Sequence, residues 1–144
     1  MKKVFSLFVG VLVIVVGLLS FVGCSPKEPL VIKESDTYIV INVSNEQMDI
    51  TDTTTLVDYM NSLKDEGQLT FEINNGMVSS VNGIDNPADW SSCWMLYTSD
   101  TDNANSAWGT IEYNGKVYGS AILGAESLTI KDGCTYIWVF QSFN

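Results

Sequence analysis

The chain contains no histidine and no arginine. Lacking an imidazole, it cannot perform Ser-His-Asp or Cys-His catalysis or build a histidine metal centre. Lacking a guanidinium, it cannot clamp phosphate or carboxylate in bidentate fashion. Cations of any kind are scarce: seven lysines stand against seventeen acids. Two of those lysines, Lys2 and Lys3, precede the whole of the rest, which therefore carries five lysines against all seventeen acids, a formal −12, and no lysine cluster. Such a surface repels polyphosphates and anionic headgroups, so nucleic-acid binding is excluded. An acidic surface of this kind keeps an exported domain solvated.

Cysteine is limited to Cys24, Cys93 and Cys134. On neighbouring strands outside the cell, Cys93 and Cys134 would form a disulfide worth about 4 kcal/mol in the chain-entropy account. Two buried free thiols are the alternative. Two of the three prolines, Pro26 and Pro29, fall in one short polar stretch, where they prevent a helix.

Three motifs fail on inspection. Gly109 to Lys116 has five residues between its glycines where a phosphate loop needs four, and Val117 replaces the required Ser or Thr. The run Asp100, Thr101, Asp102, Asn103, Ala104, Asn105 lacks a ligand at its third ligating position and a glycine at its sixth residue, both of which an EF-hand needs. Among the carboxylates no spacing selects a glycosidase-like pair. The chain is read as non-enzymatic, with no metal site and no cofactor.

Lys2 and Lys3 are followed by an uncharged run from Val4 to Gly23 that ends at Cys24. Lysines hold the N-terminus inside, the apolar run partitions into the bilayer, and a small residue before the cysteine admits a peptidase. Phe21-Val22-Gly23-Cys24 resembles the bacterial lipobox at Gly23 and Cys24 and departs from it at Phe21 and Val22. The expectation is a lipoprotein signal over 1–23, lipid on Cys24, a flexible stalk over 24–36 and one domain over 37–144, held at the outer face of the cell membrane. An uncleaved anchor is the alternative, because the run is close to the ~20 residues that span a bilayer.

Beyond the stalk the pattern is mostly extended. Ile39, Ile41 and Val43 alternate with Tyr38 and Val40, giving a strand covered on both faces, and Met48 to Thr51 is expected to return beside it. Thr55 caps a helix: Asp58 completes a capping box, Leu56, Met60 and Leu63 form its apolar stripe, and Gly67 ends it. Leu69 to Ile73 and Met77 to Val81 make a hairpin about Asn74-Asn75-Gly76. Cys93 to Thr98 is a strand, a polar insertion spans Ser99 to Ser106, and Trp108 to Tyr113 returns through Asn114-Gly115 into Val117 and Tyr118. Leu128 to Ile130 is a further strand, and Tyr136 to Phe140, apolar on both faces, is the central one. Many strands with one early helix predict an α+β domain.

The segments Thr55 to Met60, Gly76 to Ile84 and Trp94 to Tyr97, followed by Trp108-Gly109-Thr110, Tyr118-Gly119-Ser120-Ala121 and Gly133 to Trp138, resemble bacterial surface domains similar to the C-terminal domain of transcobalamin and intrinsic factor. The resemblance implies a β-grasp fold, a mixed sheet curled around one helix. It also implies binding of a small ligand, with a corrinoid (cobalamin) as the specific expectation and delivery to an uptake transporter as the setting. The helical domain that closes over cobalamin in the vertebrate proteins is absent, so this chain offers one wall of a site. Candidate ligand-binding residues are Asn82, Gly83, Trp90, Trp108, Tyr118 and Ser120, with Trp94 and Trp138 assigned to the core. The competing expectation is a non-catalytic protein-interaction module on the cell surface, with Trp90 and Trp108 forming an exposed patch.

Overall fold

The computed structural model describes residues 28–143; the expected signal and Cys24 lie outside the described residues. The domain is mostly strand with one α-helix, an α+β arrangement as expected. Six strands form one sheet in the order β1-β2-β9-β6-β8-β7, and three form a small second sheet, β3-β4-β5. In chain order they are β1 (Val31–Ser35), β2 (Tyr38–Asn42), helix α1 (Leu56–Asp65), β3 (Phe71–Asn74), β4 (Met77–Val81), β5 (Ile84–Asp85), β6 (Ser92–Thr98), β7 (Ala104–Tyr113), β8 (Lys116–Ala121) and β9 (Thr135–Ser142).

The sheet differs from the expected mixed one. Every pairing among these strands is antiparallel. The reason lies in β9, which enters between β2 and β6 and runs against both, separating the two strands that point the same way.

Alternation along the three central strands sorts the core into two. Ile39 and Ile41 of β2, Trp94 and Leu96 of β6, and Tyr136 and Trp138 of β9 join one cluster with Leu56, Tyr59, Met60 and Leu63 of α1. Val40, Tyr97, Ile137 and Tyr118 of β8 form a smaller cluster. β9 is thus covered on both faces, which is why its sequence is apolar throughout.

Helix α1 begins where predicted. Asp58 N–H donates to Thr55 Oγ1 at 3.2 Å, and Thr55 N–H donates to Asp58 Oδ2 at 2.9 Å. Tyr59 ties the helix to the end of β2, donating to Asn42 O at 3.0 Å and accepting from Ser44 N at 3.1 Å. On the other face the sheet coils until its edges touch, as right-handed twist favours: Tyr113 of β7 donates to Glu34 of β1 at 2.6 Å, and its ring lies 5.9 Å from that of Tyr38. The hydrogen bond to Glu34, with burial and the charge of Glu34, pushes the Tyr113 hydroxyl up to about 12.

Three expectations are corrected. The stretch read as stalk is ordered within its span, because Val31–Ser35 pairs with β2 as an edge strand. Met48 to Thr51 is loop: Asn45 Oδ1 accepts from Ile50 N, and Met48 and Ile50 pack on the core without pairing. Leu128 and Ile130 are buried as a strand pattern predicts, yet only one bridge forms there, Thr55 to Thr129.

Candidate functional site

The turn between β4 and β5 is Asn82-Gly83, both left-handed with φ of 47° and 81°, the conformation an Asn-Gly hairpin turn requires. Asn82 is committed to that turn, exchanging bonds with Thr70 through its backbone N–H (2.8 Å) and its Oδ1 (3.0 Å). Immediately after β5, Asn86 fastens the small sheet to β6. Its N–H donates to Ser79 O at 2.8 Å, its Nδ2 to Val78 O at 3.1 Å, and its Oδ1 accepts from Trp94 N at 2.9 Å. The Trp94 indole completes the joint by donating to Ile84 O at 2.8 Å.

That frame carries Trp90. Its N–H closes a turn onto Pro87 O at 3.1 Å, and its φ of 56° places an aromatic residue in the left-handed region, where a non-glycine residue is uncommon and strained. Neighbouring Asp89 accepts from both the backbone and the hydroxyl of Ser91, which hold its carboxyl below the usual range. The Trp90 side chain is nevertheless 54% exposed.

Trp90 stands at the lip of a groove of about 290 Å³ that opens where β8 diverges from β6. Its walls include Met77, Cys93, Met95, Ser120, Ile122, Leu123 and Trp138. The far wall is pinned by Val57 N–H to Ala125 O (3.2 Å) and Leu128 N–H to Gly124 O (3.0 Å). A second hollow of about 310 Å³ lies on the other side of Trp90 and shares Met77 and Asn86 with the first. Met77, Trp90, Ile122 and Leu123 are four of the seven large apolar side chains that the described surface exposes, and all four line this groove. A larger cavity of about 650 Å³ adjoins the first described residues, Glu28 to Leu30, and includes Cys134 but no aromatic side chain.

The expected ligand-binding residues are only partly brought together. Trp90 and Ser120 line the groove. Trp108 lies on edge strand β7, in the register break between Asn105 and Thr110, 65% exposed and outside the groove. Tyr118 is buried in the smaller cluster, while Asn82 and Gly83 form the turn described above. Trp94 and Trp138 are core residues that also reach the groove floor. Met77, Ile122 and Leu123 were not anticipated; an apolar pair in a loop just past a strand was the available signal.

Cys93 and Cys134 are free thiols, and the disulfide alternative is not realised. Cys93 lies opposite Gln141 near the end of β9, whereas Cys134 precedes its start. At about 3.3 Å per residue that separates them by roughly 20 Å, far beyond disulfide reach. Burial pushes both thiols up, and Cys93 Sγ rests 3.6 Å from Met95 Sδ. A domain lacking Cys24, denatured without reductant, should titrate two thiols with a colorimetric reagent; zero would mean a disulfide.

The acidic run at Asp100 is a structural staple. Asp100 caps a 3-10 turn over Thr101–Asn103, accepting from Asp102 N at 3.2 Å and Asn103 Nδ2 at 2.8 Å. Lys131 Nζ bridges Asp100 Oδ1 and Asp102 Oδ2, each at 2.7 Å, and these bonds push the lysine above its ordinary value. Among the described residues no group of three or more His, Cys, Asp or Glu is placed to hold a metal, and no helix is long and apolar enough to cross a membrane. The chain matches no protein-family model, no curated protein and no solved structure.

Proposed function

We propose that this chain is a membrane-tethered, extracytoplasmic α+β domain that captures a small ligand at the Trp90 groove, with a corrinoid as the specific ligand and an uptake transporter as the recipient. The observation that carries the reading is Trp90 itself: an exposed indole in a strained backbone conformation, set by the Asn86 frame at the lip of an apolar groove. Strain of this kind persists where surroundings impose it, and it concentrates at binding sites. The groove is open and lies at the small end of ligand sites, about 300 to 1,000 Å³. It would therefore take one edge of a macrocycle and leave the remainder for a partner. Calorimetric titration with hydroxocobalamin should give weak but saturable heat; none at high micromolar concentration would remove the corrinoid.

A second reading, a non-catalytic protein-interaction module, is favoured by the exposure of Met77, Ile122 and Leu123 beside Trp90, a contiguous apolar rim of the kind that partners cover. Crosslinking in intact cells that recovers one surface protein, with no cobalamin heat, would place this reading first.

Tethering follows from Lys2, Lys3, the run from Val4 to Gly23 and Cys24. Cys24→Ala should abolish incorporation of labelled fatty acid. Labelling that survives the substitution, or its absence from the native chain, would count against lipidation at Cys24.

A further inference from the structure

The hollow on the other side of Trp90 differs chemically from the groove. It has a volume of about 310 Å³, and Asn74, Asn75, Ser79 and Asn86 line it beside the Trp90 indole. No charged residue borders it. Asn86 is held in place by its bonds to Val78 O and Trp94 N–H, which leave its amide with one N–H and one lone pair unused. Ser79 Oγ donates to Glu72 O at 3.3 Å and keeps its capacity to accept. Among the described residues, nothing bonds to the side-chain amides of Asn74 and Asn75.

Local structure explains only part of this set. Asn75 and Gly76 have φ of 51° and 79°, the left-handed pair that a tight hairpin turn requires, so the turn accounts for Asn75. Asn74 ends strand β3, where asparagine is a poor strand former, and its exposed amide serves no bond of the fold. The same turn abuts a carboxylate: a Cβ on Gly76 would lie 3.3 Å from Glu126 Oε2. With seventeen acids against seven lysines in the chain, an anionic ligand is repelled here.

An exposed indole beside neutral amides and a hydroxyl matches a sugar ring. The C–H groups of a pyranose carry partial positive charge, which the negative face of an aromatic ring attracts. Its hydroxyls each donate and accept, and an amide offers both functions at one site. We infer that this hollow is a saccharide subsite, in which a neutral pyranose ring of a glycan stacks on Trp90 and bonds through its hydroxyls to Asn74, Asn75 and Asn86. The inference goes beyond the corrinoid reading: it shares Trp90 with that reading and otherwise uses a different wall. At about 310 Å³ the hollow is at the small end of ligand sites, so it takes a single ring and leaves the rest of the glycan in solvent.

The test applies the full chain in lipid nanodiscs to a printed array of neutral, sulfated and uronic-acid oligosaccharides, followed by calorimetric titration with the free oligosaccharides that are retained. Neutral glycans should be retained and the acidic ones not. Affinity should fall at least tenfold with Trp90→Gly and at least tenfold with the double variant Asn74→Ala, Asn75→Gly, while Trp108→Ala leaves it unchanged. Both glycine substitutions keep their turns, because glycine tolerates the left-handed region, and circular dichroism checks that each variant is folded. Retention of no glycan, retention of acidic glycans alone, or affinity indifferent to both the Trp90 and the asparagine variants would overturn the inference. Hydroxocobalamin run alongside separates the readings: cobalamin binding with no glycan retained overturns the saccharide subsite alone, glycan binding of the expected kind without cobalamin upholds it and removes the corrinoid, and neither overturns both.

Discussion

Tyr59→Ala should destabilise the domain by about 4 kcal/mol, read as the shift in a urea or thermal unfolding midpoint. Tyr59 is fully buried between α1 and the sheet, and removing a buried aromatic ring typically costs about 3 to 5 kcal/mol. Its hydroxyl adds a second component, because it donates to Asn42 O and accepts from Ser44 N at the point where β2 ends. Tyr59→Phe separates the two: it should cost about 1 kcal/mol, the net worth of such bonds. Equal losses in the two variants would mean that the ring does not hold the helix to the sheet.

Asp100→Ala is expected to cost about 3 kcal/mol, and its effect should depend on pH. The carboxylate is buried, and burial alone would raise its pKa. The bonds from Lys131, Asn103 and the Asp102 N–H outweigh that and hold it below the ordinary aspartate value. Substitution removes the carboxylate that accepts from all three, and Asn103 Nδ2 and the Asp102 N–H lose their acceptor outright. Lys131 is about half exposed and can return to water, so the ion pair contributes less than a fully buried one. A folded-state pKa below the unfolded one means that the stabilisation is present above about pH 4 and is lost as pH falls through the lower folded value. Native protein should therefore lose stability on acidification below about pH 4 by more than Asp100→Asn does. Parallel curves would show that Asp100 is not held ionised by its neighbours.

Local chemistry made several elements legible. The Thr55 and Asp58 capping box and the stripe through Leu56, Met60 and Leu63 announce α1, and Asn-Gly pairs at 75–76 and 114–115 mark two hairpins that form where expected. The two-sided apolar run of β9 signals a strand buried on both faces. Edge strand β1 was legible only in its first half: Leu30, Val31 and Ile32 are an apolar signal, but Lys33, Glu34 and Ser35 are exposed and continue the polar character of the stalk before it. Met48 to Thr51 misled for the opposite reason: its apolar side chains pack on the core, while its backbone bonds locally to Asn45.

The site was less legible than the fold. Its walls come from the start of β4, the turn after β5, the first half of β6, the loop after β8 and the middle of β9. No spacing in sequence reports that β8 leaves β6 at Ser120. Trp90 and Trp108 share a polar, loop-like setting in sequence, yet one is seated in a strained turn beside a groove and the other stands alone on an outer edge. The expectation of six ligand-binding residues therefore contracts to Trp90 and Ser120, joined by Met77, Ile122 and Leu123.

The left-handed conformation of Trp90 supplies the most direct test of whether this groove is the binding site. If the indole is kept for binding, Trp90→Gly should relieve backbone strain and leave stability unchanged or raised by up to about 1 kcal/mol. It should also weaken hydroxocobalamin binding by at least about tenfold, as loss of an aromatic anchor does. Calorimetric titration of native chain, Trp90→Gly and Trp108→Ala side by side measures this. The account predicts binding lost in the first variant and kept in the second; undiminished binding by Trp90→Gly, or loss confined to Trp108→Ala, would contradict it.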